Sequence, residues 1–288
     1  MNTIATVVYS SDFNSLKLQA LSFEKFLKVS KNELEILIIL NDDENHLKYL
    51  EEIIIPYYGK YSSCCRILTR KDLNCTNAFV HGWLQQQVYK LLISKFINEK
   101  SYLVLDSKNH LIRDFNIENF LSAPLKWFRV NRNGHLSAGF EESYRYFGLN
   151  PSDFIDLSAA NVTPFVFYTE AVLNMISEIE LKESRLFYDF FVSSKVLEFD
   201  LYSAYVTANP IWSYEDCPRN FITLFKDKIV DENNFASMMY TADNPEIKFF
   251  ALHHDSINYI NNSQKEIIKK FWINLGLFDN IESTNEFL

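Results

Sequence analysis

Glycine and proline are scarce, at 6 and 7 among 288 residues. That scarcity argues against a turn-rich all-β sandwich and against any low-complexity linker. Cysteine is rare too: Cys64, Cys65, Cys75 and Cys217 make up the set. Adjacent Cys64 and Cys65 are poorly placed for a disulfide, and no C-x-x-C pair offers zinc a chelate, so reduced thiols in the cytosol are the expected state. No run of about 18 apolar residues occurs, so no membrane span is expected. The opening Thr3–Tyr9 stretch lacks the basic start and long apolar run of a signal peptide. Basic residues are in the minority, with 28 Lys+Arg against 37 Asp+Glu and a formal net charge of −9. Broad nucleic-acid binding needs a concentrated basic surface, so it is not expected.

What the chain does have is apolar material for a large core. Hydrophobic residues make up 48% of it and charged residues 23%, so disorder is expected only at Ser283–Leu288. The 25 Phe and 16 Tyr serve a core first, and also suit a site that stacks on ring-shaped ligands.

The first 110 or so residues alternate strand and helix patterns. Ile4–Tyr9 reads as a buried strand closed by Ser10-Ser11-Asp12, and Leu16, Ala20, Phe23, Phe26 and Leu27 recur at helical spacing. Leu34–Leu40 is a second strand ending at Asn41-Asp42-Asp43-Glu44, followed by a helix with Leu47, Leu50, Ile53 and Ile54 on one face. Cys65–Leu68 is a weaker strand, Trp83–Phe96 a helix, and Ser101–Leu105 a strand closed by Asp106. Such alternation implies parallel pairing through right-handed crossovers, with ligands bound beyond the carboxyl ends of the strands. The polar clusters at 10–12, 41–44 and 106–110 all fall at such ends. Later, Trp127–Val130, Pro164–Tyr168 and Lys248–Leu252 read as strands, and Thr169–Ile179, a segment from Glu198 and Ser263–Leu275 as helices.

Several segments pair a chemical reading with a plain structural one. Asp106 can hold a ribose or a diphosphate, or can simply cap a turn; Lys108, His110 and Arg113 add three candidate cations beside it. Asn41-Asp42 resembles a nucleoside-binding strand end, yet equally suits a helix N-cap, and Ser11-Asp12 shares that ambiguity. Trp83, Gln86, Gln87 and Lys90 share one helix face, as donors for a polar ligand or as a wet surface. Glu198 and Asp200 cannot point the same way on a helix, so at most one faces a site, where a lone carboxylate can deprotonate an acceptor hydroxyl. Of His253 and His254, one at most serves a metal or a leaving phosphate. No P-loop and no G-x-G-x-x-G occurs, which counts against a nucleotidyltransferase.

Together, the opening strand with its Ser/Asp loop, Gly82-Trp83 with Gln86-Gln87 and Lys90, Leu105–Asn109 with Arg113, Thr163-Pro164-Phe165 and Glu198–Tyr202 resemble a bacterial and viral family of GT-A-like glycosyltransferases of surface polysaccharides. The resemblance implies an α/β fold, a single GT-A-like domain over residues 1–288 with a Rossmann-like, mostly parallel sheet flanked by helices. Residues 1–115 would be the nucleotide-binding half and 116–288 the acceptor-binding half. It implies a nucleotide-sugar donor and a glycan or lipid-linked acceptor, handled in the cytoplasm with at most peripheral contact at the inner membrane face. Combined with the reading of the residues, this leads to the expectation that Ser11, Asp12, Asn41, Asp42, Lys90, Asp106, Ser107, Asn109, Arg113, His253 and His254 face the donor. Trp83, Gln86, Gln87, Thr163, Asp200 and Tyr202 face the acceptor and sugar, and Glu198 is the base, working with Asp106 and Lys108. Asp106 occupies the place of the Asp-x-Asp sequence of that fold, but position 108 is Lys. A lysine repels a divalent cation and can itself neutralise diphosphate, so a required Mn or Mg ion is not expected, Asp106 being the one candidate ligand. A non-catalytic nucleotide-sugar or carbohydrate-binding protein on the same fold stays open as the alternative.

Overall fold

A computed structural model describes residues 1–75, 82–130, 132, 136–156 and 158–288. Its strands are β1 (Asn2–Val8), β2 (Leu34–Leu40), β3 (Cys65–Thr69), β4 (Ser101–Asp106), β5 (Asn109–Leu111), β6 (Leu125–Trp127), β7 (Arg129–Val130), β8 (Ser158–Ala159), β9 (Phe165–Tyr168), β10 (Tyr214–Asp216), β11 (Phe221–Leu224) and β12 (Phe249–Leu252). The main sheet runs β3-β2-β1-β4-β9, parallel except for β9, which pairs antiparallel to β4. The expected α/β architecture with a mostly parallel sheet between helices is the one found.

The runs Thr3–Val8 and Ile36–Leu40, rich in β-branched residues and without a charge, follow from burial on both faces. Ala5, Val7, Leu37, Ile39 and Val104 face a core shared with the Gly82–Leu92 and Thr169–Glu183 helices, while Ile4, Val8, Ile36, Ile38 and Leu105 face one shared with the Phe13–Phe26 helix. In that last helix Leu16, Ala20 and Phe23 are fully buried, as their spacing predicts. A second sheet, β11-β12-β5, joins β12 antiparallel to β5 and carries a third core around Trp272, Phe250 and Phe271. Strands β9 and β12 thus pair with strands from the first 115 residues. Among the described residues, no helix is long and apolar enough to cross a membrane.

Register aligns the strand ends that matter. Val8 of β1 pairs with Leu40, and Val7 pairs with Asp106, so the polar residues after β1, β2 and β4 emerge together. The chain leaves β1 towards β2 on one side, and β4 lies on the other. This is the switch point at which a crevice opens in such sheets.

Two expectations are corrected. The helix read over Leu47–Ile54 is one α-turn (Leu47–Tyr49), a wider π-type stretch (Leu50–Ile54) and a 3-10 segment to Cys64. Pro56 has no N–H to continue an α-helix, and Gly59 takes φ +53 where a Cβ would sit 1.9 Å from Glu24 Oε2. His110, read as a cation, is buried on β5; its Nε2 accepts the Trp272 indole N–H at 3.0 Å, and burial pushes its pKa down to about 4. The imidazole is neutral in the folded protein, so the unfolded chain takes up the proton first. Stability is held above the unfolded value near pH 6.5 and lost as pH falls towards about 4. Urea unfolding at pH 7 and pH 5 is expected to differ by about 2 kcal/mol from this residue. His110→Gln, which keeps an acceptor for Trp272, is expected to remove that slope.

Candidate active site

A cleft of about 280 Å³ opens at the switch point. Its lining brings together Asp12, Trp83, Gln86, Gln87, Lys90, Asp106, Ser107, Lys108, Thr163, Glu198, His253 and His254, residues drawn from most of the chain. A second cleft of about 210 Å³ lies alongside, lined by Ser11, Asn14, Trp272 and Phe287 among others. The two share Asp12, Ser15, Lys108, Leu252 and His254.

The turn after β4 is built before it is charged. Asn109 Oδ1 accepts the Asp106 backbone N–H at 2.8 Å and lies 2.7 Å from Thr163 Oγ1, which is itself 2.9 Å from Asp106 Oδ2. From below, the Gln19 amide donates to the Asp106 and Asn109 carbonyls at 3.0 and 2.9 Å. Asn109 is fully buried, so its work is to hold the turn, and the donor contact expected of it is corrected to that role. Gln19 was not legible as a site residue, because it lies on the buried side of an otherwise ordinary amphipathic helix.

The floor of the cleft is a buried chain of charges. Lys90 Nζ lies 2.8 Å from Asp106 Oδ1 and 3.1 Å from Glu198 Oε1, with the Phe199 ring 5.1 Å away. Lys108 Nζ donates to Asp106 Oδ2 at 2.8 Å. Burial works against the Lys90 ammonium, but Asp106 and Glu198 outweigh it and lift its pKa above the ordinary value. Burial would also raise Asp106; Lys108 and Lys90 overcome this and hold that carboxyl far below the usual range. At Glu198 burial wins, the single Lys90 contact offsetting it only in part, and the pKa is raised. Two carboxyls on one cleft floor are therefore pushed apart, one a permanent anion and the other a better base. That is the pattern of divided acid–base roles.

This donor set does not fit a divalent cation at Asp106. Each carboxylate oxygen already faces an ammonium at 2.8 Å, and the second acid of an Asp-x-Asp pair is lysine. A metal ion there would sit against two positive charges with one carboxylate to hold it. His253, His254 and Asp255 bring ligand atoms within 4.8 Å of one another at the rim, with His254 and Asp255 mostly exposed.

Other expected site residues are placed elsewhere. Asn41 is buried and donates to the Gly82 carbonyl at 2.9 Å, tying β2 to the helix start. Asp42 accepts from the Ser10 amide and hydroxyl and from the Asp43 amide, so its carboxylate closes the two loops and lines neither cleft. Arg113 points away and donates to the Ala242 and Ile247 carbonyls at 2.7 and 3.3 Å. Asp200 is sealed in an ion pair with Arg132 at 2.7 Å. Tyr202 is in the core, bonded to the Tyr168 N–H and to Tyr214. For all five the reason is the same: residue type and order were readable, but side-chain direction was not. Ser11 lines only the second cleft.

Sequence reading missed Asn161, Thr223 and Phe225, which also line the main cleft. Thr223 and Phe225 belong to β11 and its end, a four-residue strand with no polar cluster to mark it.

Among solved structures, the chain is similar at low identity to several glycosyltransferases. Galactosyltransferase LgtC, solved with donor and acceptor sugar analogs, is 12% identical, with 95% of this chain and 99% of that one covered, at TM-score 0.48. Mouse xyloside xylosyltransferase 1 is 8% identical over 88% of this chain and 98% of its own, also at 0.48. The bifunctional glycosyltransferase WbbM is 12% identical over 93% of this chain at 0.48, and this chain spans 51% of WbbM's length. No curated protein matches the chain in sequence. The model of DUF6492, a family of unknown function, matches residues 8–273, and the chain belongs to that family.

Proposed function

We propose that the chain is a glycosyltransferase that moves a sugar from a nucleotide-diphospho-sugar donor to a glycan acceptor in cell-surface polysaccharide or lipooligosaccharide synthesis. The observation that carries this reading is the Asp106–Lys90–Glu198 chain on the floor of a cleft at the strand-end switch point. Sugar transfer needs a base for the acceptor hydroxyl and positive charge where the diphosphate leaves. Glu198, the weaker acid of the pair, takes the acceptor proton. The freed oxygen attacks the anomeric carbon, and the bond from that carbon to the phosphate oxygen breaks with its electron pair left on phosphate. Lys108, His253, His254, Gln86, Gln87 and Trp83 line the same cleft; on this reading the first three meet that charge and the last three shape the sugar end. The acceptor, polymeric or lipid-linked, reaches the cleft from outside, which asks for no more than peripheral membrane contact.

A thermal-shift screen against nucleotides and nucleotide sugars tests the reading. A donor that binds the folded state alone raises the melting temperature, by about 2.7 kcal/mol of added stability at a hundredfold excess over Kd. One nucleotide sugar is expected to shift the curve more than its free nucleotide does. A flat response across UDP-, GDP-, CMP- and dTDP-sugars would count against the proposal, and binding without turnover would favour a non-catalytic binding protein.

A further inference from the structure

Lys108 is the least committed charge of the network. Its ammonium has three N–H donors and spends one on Asp106 Oδ2, which leaves two for a ligand. It stands on a turn fixed by Asn109, Thr163 and Gln19, so it is presented in one place. Its side chain lines both clefts, the polar one that ends at Glu198 and the more apolar one beside Trp272. A group that reaches from one cleft to the other passes this ammonium. Lys90, in contrast, is buried and committed to Asp106 and Glu198.

We propose that Lys108 takes the place of a divalent cation and receives the donor's diphosphate directly, so that nucleoside diphosphates bind here without a metal ion. This rests on the donor reading above and adds to it the chemistry of diphosphate recognition. An ammonium on a diphosphate oxygen makes a charge-assisted hydrogen bond, the stronger kind, and the cleft wall around it excludes part of the solvent. Asp106 then orients and fixes Lys108 and binds no metal; its two oxygens are taken by the two lysines.

The test is calorimetric titration of the full chain with UDP, GDP, CDP and dTDP, each in excess EDTA and in excess Mn²⁺. One of the four is expected to bind in EDTA, and Mn²⁺, which chelates the diphosphate in solution, is expected not to tighten that binding. Lys108→Ala is expected to weaken that binding by about 10- to 100-fold, the worth of a hydrogen bond between charged groups, and Lys108→Arg to retain most of it. A second readout needs no nucleotide: Mn²⁺ alone leaves the wild-type melting temperature in place, whereas Lys108→Asp, which sets a second carboxylate beside Asp106, acquires a Mn²⁺-dependent rise. Nucleotide binding that appears only with Mn²⁺, a shift with Mn²⁺ alone that persists in His254→Ala and so does not come from the rim group, or full affinity in Lys108→Ala overturns the inference while the donor reading stands. If none of the four binds under either condition, the donor reading fails and this inference fails with it.

Discussion

Glu198→Gln is expected to cut the rate of sugar transfer by about 10²- to 10⁴-fold, the usual contribution of a positioned general base. The change is isosteric and keeps an oxygen to accept from Lys90, which lies 3.1 Å from Glu198 Oε1. Donor binding is expected to survive, because the diphosphate contact proposed above is made by Lys108 and not by Glu198. The loss therefore belongs in kcat, with KM for the donor close to wild type. The reason to place the base here is environmental. Glu198 is buried, its pKa is raised by that burial, and its partner Lys90 is shared with Asp106, whose own carboxyl is held far lower. A variant that transfers sugar at the wild-type rate would remove Glu198 from the mechanism.

Lys90→Met is expected to destabilise the fold strongly. The substitution leaves Asp106 and Glu198 facing one another in a buried place without the ammonium that bridges them at 2.8 and 3.1 Å. Breaking a buried ion pair from one side costs about 3–5 kcal/mol, because the orphaned charge stays desolvated. For a chain of this size that is a fall in Tm of roughly 6–15 °C. Glu198 will then be pushed further above its unfolded value. A group with a raised folded pKa contributes its stability below the unfolded pKa and loses it as pH rises through the folded one. The deficit of Lys90→Met should accordingly shrink as the solution is acidified towards the ordinary carboxylate range. Adding Glu198→Gln to Lys90→Met should recover part of the loss at neutral pH, since the two positions are in contact and will not behave additively. Thermal unfolding of the two single variants and the double variant, at two pH values, reads all of this. A Lys90→Met protein as stable as wild type would mean that the bridge contributes nothing to the fold.

The strands of the main sheet were readable because burial on both faces leaves an unbroken apolar run with a polar residue at its end, as in Ile36–Leu40 followed by Asn41. Strands such as β7 and β8 have two residues each and no period to detect. The Phe187–Ser193 helix buries Phe187, Tyr188, Phe190 and Phe191 on nearly every side, so it shows no amphipathic stripe either. Within the site, a strand-end position pointed to Asp106 and Lys108, a shared polar helix face to Lys90, and a carboxylate at a helix start to Glu198. Their mutual pairing did not follow from spacing, since Lys90 and Glu198 are 108 positions apart. Burial decided the remaining cases. His110 and Arg113 were attractive as cations near Asp106, yet one is a neutral partner of Trp272 and the other holds the Ala242 and Ile247 carbonyls.

Turnover of a nucleotide sugar in this cleft is the property on which the assignment of its residues depends. The direct measurement is release of nucleoside diphosphate from a panel of UDP-, GDP- and dTDP-sugars, and of CMP from CMP-sugars, followed in parallel for the wild-type chain and Glu198→Gln. Slow release from one donor by the wild type, accelerated by the right acceptor glycan and nearly absent in Glu198→Gln, is the predicted result. Release from no donor, or release at equal rates from both proteins, would contradict the assignment of this cleft as a sugar-transfer site.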